Sequence, residues 1–189
     1  MHIDAVGGRD RGSPGTPFDA TGVGLTFQAD ICLNGAGVLL SELLSADRVK
    51  VPLSGRTKSE LLRELVELVA NGQEGLDAEP ILASVLEREQ VLSTGIGSGV
   101  AIPHGKTPFI DQLVVAAGVA PQPVDFDALD GKPVQLFFLL LGPESASSAH
   151  VKALSRISRL LRREQLRSDL LAAKSAQEFL AVVQESEAI

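Results

Sequence analysis

The chain has no tryptophan and no tyrosine, and its only aromatic residues with large rings are seven phenylalanines. A protein that grips single-stranded nucleic acid needs stacking platforms, so this scarcity counts against that class. The formal net charge of -7 points the same way, because a phosphate backbone draws a basic surface. Cysteine is nearly absent as well. Cys32 stands alone, which excludes an internal disulfide and fits a reducing compartment. It has no base signature beside it and reads as an incidental thiol. Long apolar runs are missing: Val134 to Leu141 is the longest, it contains Gln135, and Gly142-Pro143 ends it, far short of a membrane span. The start lacks a signal peptide's basic segment and apolar centre. These absences lead to the expectation of a cytoplasmic protein with neither nucleic acid nor membrane insertion among its roles.

What the 189 residues do contain is enough aliphatic material for one substantial core, with 44% hydrophobic and 22% charged residues. Residues 1–36 stand apart. Seven of the eighteen glycines and two of the ten prolines fall there, among them Gly7, Gly8, Pro14 and Pro17, and such a stretch buries too little apolar surface to offset its ordering entropy. We expect a flexible N-terminal extension, with a short ordered patch near Val23 to Leu33, followed by one domain over 37–189.

Within that domain, Leu39, Leu40, Leu43 and Leu44 make a short helical face, and 48–52 reads as a brief strand. Thr57 with Glu60 forms a capping box for a helix over 58–70, which Asn71-Gly72 stops. A second helix is expected over 77–89, with Pro80 in its first turn. The period then changes. Residues 100–102, 113–119 and 134–141 are apolar runs bounded by Gly, Pro or Asp and read as buried strands, with Asp130-Gly131 as a turn before the last. Helices return over 148–163, 165–173 and 176–185. This order predicts an α/β domain, a mixed central sheet flanked by helices on both faces.

Chemistry concentrates in residues 88–105. Gly95, Gly97 and Gly99 alternate there, and spaced N–H groups of such a segment, with those of Thr94 and Ser98, can cradle an anion. A flexible connector accounts for the same glycines. The pattern lacks a dinucleotide fingerprint and a Walker loop. His104 follows a predicted strand, where open α/β sheets place working residues. Pro103 fixes the backbone before it, and Gly105 leaves one side open for a nucleophilic imidazole. His150 stands at a predicted helix start that Ser147 or Ser148 can cap, where orphan N–H groups favour negative charge. Each histidine taken alone is equally a structural or solvent-exposed residue. Arg88, near a helix C-terminus, either answers the macrodipole or faces the glycine segment to neutralise a phosphate; Glu89 can orient its guanidinium. A two-histidine metal site finds no third ligand at suitable spacing. His2 has no assigned role.

Taken in order, Arg88-Glu89, the run Ser93 to His104, Asp130 to Val134, the strand to Leu141, His150 to Leu154 and Leu160 to Glu164 resemble the type-2 IIA domain of the bacterial phosphoenolpyruvate-dependent phosphotransferase system, the fructose, mannitol and nitrogen-regulatory family. The resemblance spans about residues 38–187. It implies a phosphohistidine at His104, a second active-site histidine at His150 that hydrogen-bonds the phosphoryl group, and an active-site arginine at Arg88. It implies no cofactor. It also implies a phosphoryl donor, HPr or its nitrogen-branch relative, and as acceptor or target a IIB cysteine or regulated proteins. The chain carries no IIB or IIC signature, so a stand-alone regulatory IIA is expected first and a sugar-transport component second. A fold retained without the phosphorelay is the outside reading, and the presence of both histidines and Arg88 weighs against it.

Overall fold

The computed structural model describes residues 39–73 and 75–188; the expected extension, the patch near 23–33 and Cys32 lie outside the described residues. The chain runs α1 (Leu40–Leu43), β1 (Leu44–Lys50), α2 (Lys58–Asn71), α3 (Ala78–Val91), β2 (Gly95–Gly97), β3 (Val100–Ala101), β4 (His104–Lys106), β5 (Val114–Val124) and β6 (Val134–Gly142). A 3-10 turn at Glu144–Ala146 leads into α4 (Ser147–Leu160), α5 (Glu164–Ala172) and α6 (Ala176–Glu187). The mixed sheet expected from the strand and helix order is present, with strand order β1-β5-β6-β3-β2 and β4 also on β6.

β5 and β6 are the centre of the sheet, an antiparallel pair in register from Val114↔Leu141 to Val119↔Leu136. Both are apolar on both faces because helices cover both. Leu136, Phe138 and Leu140 pack with residues of α1, α4, α5 and α6. Phe137, Leu139 and Leu141 pack with residues of α2 and α3. With no tryptophan or tyrosine, the large rings are Phe126 edge-on to Phe137 on one side and Phe138 beside Phe179 on the other.

The helix starts obey their local chemistry. Thr57 Oγ1 accepts from the Glu60 N–H while the Glu60 carboxylate accepts from the Thr57 N–H. Losing such a cap costs about 1 kcal/mol, so Thr57→Ala should lower the unfolding free energy by that amount, read as a lower urea midpoint with an unchanged slope of the transition. Asp77 caps α3 through the Glu79 N–H. The expected cap of α4 is different: Ala146 holds the cap position with no side-chain bond. Ser147 is already helical and its hydroxyl donates to the Glu144 carbonyl, because the 3-10 turn feeds directly into the helix.

Two strands, β2 and β4, escaped the sequence reading, while β3 falls within the expected strand at 100–102. β2 and β3 form a tiny antiparallel hairpin, turned through Gly97, Ser98 and Gly99, all at positive φ, a conformation that favours glycine. β3 and β4 then lie end to end along the same side of β6, both parallel to it, with Val100↔Leu136 and His104↔Leu140. β2 covers the outer edge of β3, whereas β6 is the only strand paired with β4 among the described residues. His104 therefore opens a short strand with an uncovered outer edge, at the C-terminal end of the central parallel strands.

Candidate functional site

Alternation along β3 and β4 decides which way His104 faces. Val100 and Ile102 belong to the α4 side, Ala101 to the α3 side, and His104 continues the first set. Gly105 faces α3, where a Cβ would stand 3.0 Å from Ser84 Oγ and 3.1 Å from Val85 Cγ2. Its smallness thus lets β4 approach α3, rather than clearing space beside the imidazole as the sequence suggested. Arg88 is on α3, and it reaches His104 past the uncovered edge of β4.

The imidazole of His104 is held at both nitrogens. Nδ1 lies 2.9 Å from the Ile102 carbonyl, and Arg88 Nε donates to Nε2 over 3.1 Å. Guanidinium can only donate and a carbonyl can only accept, so the neutral ring carries its proton on Nδ1 and a lone pair on Nε2. Burial, and then the positive charge of Arg88, hold its pKa below the usual histidine value, against the raising influence of the Ile102 carbonyl and of Glu89. The ring is half-buried, neutral and fixed, with its nucleophilic nitrogen facing a cation. Arg88 also donates from Nη1 to the Leu92 carbonyl, which braces the guanidinium against the end of α3.

His150 is brought to the same place from the far end of the chain. It is the fourth residue of α4, at the helix start the sequence suggested, and it is buried rather than solvent-exposed, with 3% of its surface accessible. The two ring centroids are 5.9 Å apart with the planes tilted at 59°. Nδ1 of His150 has no hydrogen-bond partner among the described residues and lies against Gly142. Burial, the nearby His104 and Lys106 push its pKa down to about 4. That sets a pH dependence of stability. Above the unfolded-state value near 6.5 the ring is neutral in both states. As pH falls from there toward 4, the unfolded chain binds a proton that the folded one refuses, so stability drops by on the order of 3 kcal/mol across that window. His150→Gln should flatten the acid side of a plot of urea midpoint against pH; an unchanged slope would contradict the assignment.

Glu89 does not orient Arg88. Neighbours on a helix point about 100° apart, and the Glu89 carboxylate turns inward, accepting from the Thr94 N–H at 3.1 Å, from Thr94 Oγ1 at 2.5 Å and from Lys58 Nζ at 3.0 Å. Lys58 also donates to Asp127 and to the Phe126 carbonyl. This buried network, which the sequence did not disclose, pins α2, α3 and the start of β2 behind the histidines.

The glycine segment is placed differently from Arg88, His104 and His150. The Thr94 N–H is engaged by Glu89, the Gly95 N–H by Ser93 Oγ and the Ser98 N–H by Asp130 Oδ2. Gly99 accepts from the Gln135 and Leu136 N–H groups, four to five residues along β6 from the Leu140 level of His104, or roughly 13–16 Å at strand rise. Gly97, Ser98 and Gly99 thus form a turn at the opposite end of β6, with at least one N–H already paired internally. The structure brings together two histidines and one arginine and leaves the anion-cradle expectation without geometry to support it. Among the described residues no three His, Cys, Asp or Glu side chains gather as metal ligands, and no helix is long and apolar enough to cross a membrane.

Comparison with known proteins places the fold and the family. Residues 42–186 match the family model described as phosphoenolpyruvate-dependent sugar phosphotransferase system, EIIA 2. A nitrogen regulatory protein of Bradyrhizobium diazoefficiens is 36% identical over 144 residues, 76% of this chain and 94% of its own length. The fructose-specific EIIABC component of Bacillus subtilis is 35% identical over 144 residues, again 76% of this chain but 23% of that much longer protein. The crystal structure of nitrogen regulatory protein IIA-Ntr from Neisseria meningitidis superposes with a TM-score of 0.71 at 34% identity, covering 76% of this chain and 97% of that one. On the family match, the fold and the order of its motifs, the chain belongs to the EIIA 2 family of the phosphoenolpyruvate-dependent sugar phosphotransferase system.

Proposed function

We propose that the protein is a phosphohistidine carrier that accepts a phosphoryl group on Nε2 of His104 from HPr or a nitrogen-branch relative of HPr. The observation that carries this reading is the pair of bonds on one ring: the Ile102 carbonyl holds the proton on Nδ1, and the Arg88 guanidinium faces the lone pair of Nε2. Phosphoryl transfer between good nucleophiles depends on in-line positioning and charge stabilisation. The donor's P–N bond breaks with its electron pair returning to the donor imidazole, and a P–N bond forms at His104 Nε2. Arg88 then meets phosphoryl oxygens in place of the nitrogen. His150, neutral and with Nδ1 turned toward Gly142, donates from Nε2 to a further oxygen. Thr94, Gly95, Gly97, Ser98 and Gly99 serve as the hairpin that carries β3 and Pro103 into place. The exposed apolar residues Val91 and Leu92, three and four residues after Arg88, and Val151, next to His150, offer the carrier a surface to dock on.

Of the two branches, the regulatory one is favoured by the match to nearly the whole length of nitrogen regulatory relatives. The regulated proteins would then be cytoplasmic partners that read the state of His104. Transport, with a IIB cysteine as acceptor, is the second reading, supported by the fructose-specific relatives. The deciding experiment labels the protein through enzyme I and either HPr or its nitrogen-branch counterpart, then adds a fructose-type IIB domain. Preferential labelling by the nitrogen-branch carrier without onward transfer supports regulation. Rapid transfer to the IIB cysteine selects transport.

A further inference from the structure

β4 presents a second residue beside His104. Alternation puts residues 104 and 106 on the same face, since Gly105 lies against Ser84 and Val85 of α3. The Cα atoms of two such residues are about 7 Å apart. Lys106 is exposed, and its Nζ donates to Ser147 Oγ over 2.9 Å. Ser147 is the first residue of α4, one turn before His150. The ammonium is therefore tethered at the mouth between the two histidine-bearing elements, and its charge is felt at His150, whose pKa it helps to lower. Among the described residues no carboxylate pairs with Lys106. A cation parked on a neutral hydroxyl keeps its charge uncompensated and is released at little cost, unlike one locked in an ion pair.

We propose that Lys106 is a third phosphoryl-binding group, whose ammonium leaves Ser147 Oγ and pairs with an oxygen of the phosphoryl group on His104 from the α4 side, as Arg88 does from the α3 side. This rests on His104 being the acceptor. Phosphoryl transfer brings about two negative charges into a half-buried site that holds one guanidinium, and lysine suits the remaining oxygen as a mobile point charge. Lys106 exchanges no proton in the step: the donor's P–N bond breaks, the new bond forms at Nε2, and Nδ1–H stays on the Ile102 carbonyl.

The test compares the full chain with Lys106→Gln, Lys106→Arg, Ser147→Ala and His104→Ala, using two donors, phosphorylated carrier protein and the small molecule phosphoramidate. Lys106→Gln should slow phosphorylation of His104 roughly tenfold with both donors. The loss should fall on the maximal rate and leave the half-saturating concentration of carrier protein little changed. Lys106→Arg should recover most of the rate, and Ser147→Ala, which removes only the resting partner, should keep or raise it. Three results would overturn the proposal: a wild-type rate in Lys106→Gln, a loss confined to the protein donor with a raised half-saturation, or a fall in Ser147→Ala as large as in Lys106→Gln. Absence of label on wild-type protein with every donor would instead sink the His104 reading itself, and this proposal with it.

Discussion

His104→Ala should take up no label from phosphoenolpyruvate when incubated with enzyme I and either carrier, while the wild type acquires a label that acid releases and alkali preserves. The effect is expected to be all-or-none because, under the proposed function, the bond would form to Nε2 of that ring, and neighbouring groups lack an equivalent. His150 has a lower pKa and would be the weaker nucleophile; its Nδ1 is enclosed against Gly142. The fold should survive the change, since the imidazole is half-buried and its bonds run only to Ile102 and Arg88. A folded His104→Ala protein that still labels would relocate the acceptor, with His150 the next residue to replace.

Arg88→Met should cut the initial rate of labelling by roughly 10² to 10³, the range seen when one preorganised donor to developing negative charge is removed. The guanidinium acts twice. In the resting protein it lies beside Nε2, the place a phosphoryl group would take under the proposed function, so transfer would exchange one partner for another without building a site. It also holds the His104 pKa down. Removing it should move the NMR titration midpoint of His104 upward, which leaves less neutral ring at a given pH near that midpoint. Arg88→Lys should recover only part of the rate, because an ammonium cannot bond the Leu92 carbonyl and a phosphoryl oxygen with the same planar fork. A methionine variant with unchanged rate and unchanged midpoint would remove Arg88 from the machinery. Urea stability should change little, since the residue is partly exposed and makes no ion pair among the described residues.

The site is built on a compromise in the sheet. A β2 long enough to pair with the whole of Val100 to Lys106 would cover the edge past which Arg88 reaches. Pro103 lacks the N–H needed for a continuous ladder, and its carbonyl instead accepts from the Leu140 N–H. The strand is thus split into β3, closed on its outer side by β2, and β4, open there. Behind it, the Glu89, Thr94 and Lys58 contacts keep the end of α3 in place. Replacing Glu89 by an apolar residue would leave Lys58 and the Thr94 N–H without their shared partner, which is how damage outside the histidine pair would reach Arg88.

Helices α2 and α3, the buried strands β5 and β6 and the three final helices were legible because each carries its own signal: a capping box, an apolar stripe at helical spacing, or a run of Val, Leu and Phe bounded by turns. Arg88, His104 and His150 were legible as motifs, and through them the family. Their meeting was not. It depends on β4 lying beside Leu140, on α4 packing back across the same face, and on an open strand edge, all of which are long-range contacts with no local periodicity. β2 and β4 are three residues each, too short for alternation to register. For that reason Lys106 did not stand out: its place beside His104 follows only once the segment is known to be extended. The glycines misled for the related reason that Gly97 and Gly99 permit a tight turn whether it binds an anion or joins two strands. The Asp130 and Gln135 contacts that distinguish the two lie more than thirty residues away. Local chemistry in the sequence determined the elements and the reactive side chains; which of those side chains share one site was decided by the packing of the sheet, because burial of both its faces leaves α3 and α4 one arrangement at the end of β6.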